Sequence, residues 1–287
     1  MEIGIRQIYG TRRQVMDWSL VLASQEIETT IAREENRWSL AVAETDFEKA
    51  SAAIKQYRLE NRGWLWRPKA GGSGLAFHWG SGLWVLAIVA LYFWSEVRFP
   101  AAKPAGLMNN QAVAAGEWWR LFTAVTLHAD AAHLAANLSA GFFLFGLAMA
   151  RYGAGTALLA GFVAGALGNL LGFFCYDPSH QGLGASGMVM GALGLLTVQS
   201  FPQWKKYPRA MQIMLRTFVG GLFLLILWGT SPQSDILAHL GGFLGGCLLG
   251  GALNFVPEKI LQQPLTSRMS AVVLLMFAGW TWWLAVR

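Results

Sequence analysis

The chain has 287 residues, of which 54% are hydrophobic and only 13% are charged, and its formal net charge is +6. A soluble domain carries roughly a quarter charged residues, so this composition excludes an ordinary soluble protein and indicates a membrane protein. The basic residues of the second part fall in short loops between apolar runs, which argues against nucleic-acid binding and favours contact with membrane lipids. Ten of the sixteen acidic residues precede Ala70, which predicts a small soluble domain followed by a larger membrane domain.

Residues 1–69 are predicted to form a small α/β domain with the element order helix, strand, strand, helix (αββα). Apolar residues recur at helical spacing over 15–22, and two strands are predicted at 31–34 and 38–42, joined at Glu35-Asn36. The domain shows no catalytic constellation, so we expect it to regulate or dock the membrane part.

Two local features concern the helices of this domain. Thr45 and Glu48 have the spacing of a capping box, which would start the second helix. The alternation of Trp18, Leu20 and Leu22 leaves open a strand in place of the first helix.

A linker over residues 70–80 and seven apolar runs follow. The linker includes Gly71-Gly72-Ser73-Gly74. Each run spans or nearly spans a hydrocarbon core of about 30 Å if it continues into its flanks. The predicted runs are 82–97, 133–150, 154–174, 184–201, 217–229, 236–256 and 269–286.

The basic residues indicate the orientation in the membrane. Ten of them fall on one side of a seven-span arrangement, whereas the other side has four. By the positive-inside rule, the N-terminal domain is predicted to be cytoplasmic. The ten are Arg62, Arg67, Lys69, Arg151, Lys205, Lys206, Arg209, Arg216, Lys259 and Arg268.

Ser186 and His239 are the candidate catalytic pair. Ser186 lies between small residues at the start of one apolar run, and His239, the only later histidine, opens another. A serine hydroxyl needs a base before it reacts, so we expect the two helix ends to meet inside the bilayer. We identify no acidic residue near either motif, which indicates a dyad and not a triad. Glycines at four-residue spacing in both runs indicate close helix packing.

Other polar residues could line the same site. His133 and Asn137 are four apart and share one helix face, and His128 precedes them. No carboxylate or thiolate accompanies the histidines at ligand spacing, so metal binding is not predicted. Cys175 and Cys247 are interpreted as packing residues.

Taken together, these motifs resemble the rhomboid family of intramembrane serine proteases over residues 80–256. The resemblance implies an all-α polytopic membrane protein with a six-helix rhomboid-like core at 81–256. An inner loop and a seventh transmembrane helix would occupy 257–287. The matching residues are Glu117, Trp119, Arg120, His128, His133, Asn137, Gly184, Ser186, Gly187, His239, Gly242 and Gly246.

The resemblance also implies a mechanism. His239 would be the base for Ser186, and the Ser186 N–H would stabilise the oxyanion together with the side chains of His133 and Asn137. The substrates would be single-span membrane proteins, and no cofactor is required. The protein would lie in a bacterial inner membrane, with its active site open to the periplasmic side.

Two residues depart from the family pattern, and two rival functions stay open. Met190 stands where the family usually has an aromatic residue against the catalytic histidine, and Met149 stands where it often has a glutamate.

The rival functions are a non-catalytic relative that binds membrane clients, and a transporter or channel. A transporter would be expected to place carboxylates along its path, and the apolar runs contain almost none.

Overall fold

The computed structural model describes residues 4–34, 37–61, 76–199, 210–229 and 235–287. The chain divides into two compact units, residues 1–69 and residues 70–287. The glycine-rich part of the linker, the Glu35-Asn36 junction and six basic residues of the orientation argument lie outside the described residues. Those six are Arg62, Arg67, Lys69, Lys205, Lys206 and Arg209.

The first unit is a three-stranded antiparallel sheet with two helices. The sheet order is β1-β3-β2, so β3 is central, and Ile8 and Ile31 both lie opposite Leu40. The elements are β1 Ile5–Gly10, α1 Arg12–Ala23, β2 Thr29–Glu34, β3 Arg37–Ala43 and α2 Phe47–Glu60.

The αββα prediction is therefore incomplete, because β1 precedes it and the order is βαββα. The strand at Trp18–Leu22 is wrong, since these residues belong to α1 and Trp18 is buried in the core. The core of this unit consists of Val15, Trp18, Leu22, Ile27, Leu40, Val42, Ala50, Ala53 and Ile54.

The capping box lies at a different helix from the predicted one. At α1, the Gln14 N–H donates to Thr11 Oγ1 (3.3 Å) and the Thr11 N–H donates to Gln14 Oε1 (2.9 Å). The predicted Thr45 box is wrong, because a 3-10 turn at Glu44–Asp46 delays the start of α2, whose cap makes no side-chain bond.

The second unit contains apolar helices joined by short elements, and α3 continues as a π-helical turn at Trp94–Arg98. Its elements are α3 Ser81–Phe93, α4 Ala102–Gly106, β4 Met108–Asn109, α5 Asn110–Ala114, α6 Arg120–Thr123, α7 Ala131–Tyr152, α8 Ala154–Cys175, β5 Gln181–Gly182, α9 Ser186–Val198, α10 Ala210–Gly229, α11 Ile236–Leu253, α12 Glu258–Leu261 and α13 Pro264–Val286.

Five helices in the described part of the chain are long and apolar enough to cross a membrane. They are Ser81–Arg98, α7, α8, α11 and α13. The run predicted at 184–201 forms the shorter helix α9, which has 13 residues. At 1.5 Å per residue α9 is about 20 Å long, less than the hydrocarbon core of about 30 Å. The count of six spans plus one stays a prediction.

Helices α8, α9 and α11 pack with their backbones in contact. A Cβ at Gly242 would overlap the carbonyl oxygen of Gly187, and a Cβ at Gly246 would overlap that of Gly191. A Cβ at Gly168 of α8 would overlap the carbonyl oxygen of Ala238. Glycine is thus required along this contact, which places the first turns of α9 and α11 side by side.

The last helix, α13, belongs to the same packed unit. The Gly155 N–H at the start of α8 donates to Ser267 Oγ (2.9 Å), and the indole N–H of Trp282 donates to Thr126 Oγ1 (3.2 Å). The helix therefore contacts both α8 and the segment that precedes α7.

Candidate active site

A cavity of about 1220 Å³ in the second unit is lined by four of the predicted site residues. Two of them are the proposed catalytic pair, and the other two are the proposed oxyanion donors. Two of them lie in the first two turns of α7, one lies in the first turn of α9, and one lies in the first turn of α11. The four are His133, Asn137, Ser186 and His239.

Ser186 is the first residue of α9 and is half-buried. The preceding turn depends on Gly184, whose φ is +135° and whose N–H donates to the Ala124 carbonyl (3.0 Å). A Cβ on residue 184 would stand 2.7 Å from His133 Cε1 and 3.7 Å from Ser186 Oγ. The His133 ring and the Ser186 hydroxyl therefore flank the same glycine.

His239 lies in the first turn of α11, and its side chain is only 5% exposed. Its backbone N–H donates to the Asp235 carbonyl (3.0 Å). Because Gly242, one turn further on, contacts the backbone of Gly187, the histidine and Ser186 occupy adjoining helix ends.

The α7 residues are fixed by local hydrogen bonds. Asp130 caps the helix by accepting from the His133 N–H (2.8 Å), and this bond lowers the pKa of the exposed Asp130 carboxyl. Asn137 is buried and donates from Nδ2 to the His133 carbonyl (3.1 Å). An amide has two N–H groups, so Asn137 keeps a second donor beyond this bond.

Asp235 overturns the expectation that no acidic residue lies near either motif. It caps α11 and lines the cavity, as do His180 and Tyr176 of the α8–α9 connection. His180 Nε2–H donates to Asp235 Oδ2 (3.0 Å). Burial raises the pKa of the Tyr176 hydroxyl, and the Asp235 carboxylate raises it further. Asp235 could have been found from sequence, because aspartate directly before a helix is a typical N-cap.

Glu117 and Arg120 lie outside the cavity and support the first loop. Arg120 Nε donates to Glu117 Oε2 (2.6 Å), while Nη1 donates to the carbonyls of Pro104 (2.9 Å) and Leu107 (2.8 Å). Leu107 lines the cavity, so the guanidinium holds one wall of the site. Trp119 does not line it.

His128 is fully buried beside the site but does not line the cavity. Its ring centroid lies 5.3 Å from that of His133. Burial, followed by the neighbouring charges of His133 and Lys103, lowers the pKa of His128 to about 4. The ring is therefore neutral at physiological pH.

The two departures from the family pattern lie in different places. Met190 is buried and lines the cavity. Met149 is buried in the main core near the start of α3, away from the cavity lining. Among the described residues, no group of three or more His, Cys, Asp or Glu side chains could hold a metal ion.

A family model described as the Rhomboid domain matches residues 115–254. YdcA of Bacillus subtilis (strain 168) is 33% identical over 142 residues, which cover 49% of this chain and 69% of YdcA. The rhomboid protease AarA of Providencia stuartii is 26% identical over 222 residues, covering 67% of this chain and 78% of AarA.

Longer relatives match through only part of their length. The rhomboid protease GluP of Bacillus subtilis (strain 168) is 33% identical over 179 residues, which cover 60% of this chain but 33% of GluP. The match to RHOMBOID-like protein 1 of Arabidopsis thaliana covers 40% of that protein. The chain thus spans less than half the length of these two relatives.

The apolar helices and these matches define an integral membrane protein. The chain belongs to the rhomboid family.

Proposed function

We propose that the chain is an intramembrane serine endopeptidase that uses Ser186 as nucleophile and His239 as base. Its substrates would be single-span membrane proteins, cut in or next to their transmembrane segments. One observation carries the proposal: Ser186 and His239 line one cavity, on helix ends whose backbones are in contact. Rhomboid proteases among the relatives support the same reaction class.

In the proposed reaction, His239 removes the Ser186 Oγ proton as the oxygen attacks the carbonyl carbon of the scissile peptide bond. General-base help of this kind contributes about 10² to 10⁴ in rate. The protonated histidine then gives the proton to the leaving amine, which breaks the C–N bond and leaves an ester on Ser186. A water molecule, deprotonated by His239, hydrolyses that ester and restores the serine.

The oxyanion would be stabilised by three donors at one point. Ser186 opens α9, so its N–H is among the first four of a helix, which have no intrahelical acceptor. The helix dipole favours negative charge at this position. His133, which flanks the same glycine, and the second amide N–H of Asn137 complete the set. Losing one such donor typically costs about 10² to 10³ in rate.

We also propose how the protein is oriented in the membrane and how many times it spans it. The N-terminal unit would be cytoplasmic and would regulate or dock the membrane unit, and the cavity would open to the periplasmic side of a bacterial inner membrane. The positive-inside rule supports this orientation. Six spans at 81–256 and a seventh within 257–287 belong to the same proposal.

The test is cleavage of a model single-span substrate by purified protein in liposomes. Ser186→Ala and His239→Ala should abolish cleavage while both proteins stay folded in detergent. Ser95→Ala is a matched control, since Ser95 is a buried serine of the same unit that donates to the Tyr92 carbonyl, away from the cavity. Cleavage by Ser186→Ala at the wild-type rate would refute the proposal. Substrate binding without any cleavage by wild type would favour the client-binding relative.

A further inference from the structure

The connection between α8 and α9 reaches across to the first turn of α11. It runs from Tyr176 to Ala185 and ends directly before Ser186. His180 Nε2–H donates to Asp235 Oδ2 (3.0 Å), and the Leu237 N–H donates to the Tyr176 hydroxyl (3.3 Å). Two side chains of the connection thus hold the turn that carries His239.

The His180–Asp235 contact is well protected from solvent. The two side chains are only 22% and 21% exposed, and the His180 ring stacks on Tyr176 with centroids 4.1 Å apart and planes at 24°. Hydrogen bonds to an ionised group are stronger than neutral ones, and partial burial reduces screening by salt. We therefore expect this pair to restrict motion more than an exposed ion pair would.

Asp235 connects this contact to His239 through its other atoms. Oδ1 accepts from the Ala238 N–H (2.9 Å), and the Asp235 carbonyl accepts from the His239 N–H (3.0 Å). One residue therefore binds the connection with one carboxylate oxygen and the first turn of α11 with its remaining acceptors.

The glycine contacts bring the helices together but do not satisfy the N–H groups of the first turn of α11. Gly187 and Gly242 bring the two helix bodies together, but the first N–H groups of a helix have no intrahelical partner, and ends fray. The orientation of a residue in a first turn then depends on contacts outside the helix. His180, Tyr176 and Asp235 provide such contacts.

We propose that His180 and Asp235, supported by Tyr176, are positioning residues that set the orientation of His239 relative to Ser186. They act through the backbone of α11 and through the connection before α9. The predicted effect on the cleavage rate rests on the proposed proteolytic function. The predicted effect on the structure of the first turn of α11 does not.

The first test measures kcat and KM for cleavage by His180→Ala and Asp235→Asn. Asparagine caps helices as well as aspartate does, so Asp235→Asn keeps the cap and changes only the charged contact. Because small misplacements of catalytic groups can cost up to about 10²-fold, we expect kcat to fall about 10-fold to 10²-fold, with KM changed less than about twofold. Asp177→Asn removes an exposed carboxylate from the same connection and should leave both constants unchanged.

Two further variants separate positioning from a general structural role. His180→Gln, whose amide can donate to Asp235, should recover part of the rate. The double variant of His180→Ala and Asp235→Asn should be no slower than either single variant, because the residues act as one unit. Full additivity, or a loss confined to KM, would overturn the proposal.

A structural measurement keeps the two proposals distinguishable. His180→Ala should accelerate hydrogen exchange at the backbone amides of Leu237 and Ala238 relative to Asp177→Asn. If wild type neither cleaves substrate nor reacts with a fluorophosphonate while this exchange increases, the proposed function fails and the pair is confirmed as holding the turn. Unchanged exchange in His180→Ala would refute the positioning role, whether or not the protein cleaves substrate.

Discussion

The contact between Gly242 and Gly187 gives the sharpest prediction about the site. A Cβ on residue 242 would stand 2.9 Å from the carbonyl carbon and 3.0 Å from the Cα of Gly187, and closer still to its carbonyl oxygen. Backbone atoms cannot rotate away as a side chain can, so in Gly242→Ala the helices α9 and α11 must separate by roughly 1 Å, a displacement that can cost about 10²-fold in rate.

A 10²-fold loss corresponds to about 2.7 kcal/mol in the activation barrier. The expected change in stability is smaller, because overpacking costs about 1 to 3 kcal/mol while alanine gains about 1 kcal/mol over glycine within a helix. We therefore predict that kcat/KM for a single-span substrate falls about 10²-fold in Gly242→Ala, with a modest decrease in unfolding temperature.

Gly251→Ala is the matched control on the same helix. A Cβ at Gly251 meets nothing within 4 Å, so this variant should cleave at the wild-type rate and be as stable or slightly more stable. The reasoning is refuted if Gly242→Ala cleaves like Gly251→Ala, or if both lose activity equally.

Three more predictions follow from single side chains. Asn137→Ala should lower kcat by about 10² with little change in KM, and a wild-type kcat would remove Asn137 from the oxyanion site. Arg120→Lys should lower the unfolding temperature, because an ammonium cannot reproduce the fork that binds Pro104 and Leu107; an unchanged temperature would contradict this role. The free energy of unfolding should be highest above pH 6.5 and decrease as the pH falls towards 4, since the unfolded chain then protonates His128 while the folded chain, with its pKa lowered to about 4, does not. The loss should reach about 3 kcal/mol, and His128→Gln should show less of it in unfolding scans at pH 7.5 and 4.5; an equal loss in both proteins would contradict the assignment.

Features set by local sequence periodicity were predictable. The apolar runs mark the positions of α7, α8 and α11 within a few residues, and the glycines at 187 and 242 indicated the close packing that the structure shows. Both signals are local, because residues four apart share a helix face whatever the rest of the chain does. The helical prediction for residues 15–22 is confirmed on the same basis.

Features that depend on distant partners were missed. Strand β1 acquires its conformation by pairing with β3, whose paired residues lie 28 to 38 positions away, and its own sequence lacks a clear alternation. The His180–Asp235 contact joins residues 55 positions apart. His180 lies in a connection with no periodic pattern, so only the folded chain places it beside α11.

The central claim is that His239 activates Ser186, and covalent labelling tests it most directly. Wild-type protein should react with a fluorophosphonate at Ser186, located by mass spectrometry, and His239→Ala should reduce the labelling rate by about 10² or more. The His239→Ala protein should stay folded, with a cooperative unfolding transition in detergent. Labelling of His239→Ala at the wild-type rate, or labelling of wild type at another residue, would contradict the account.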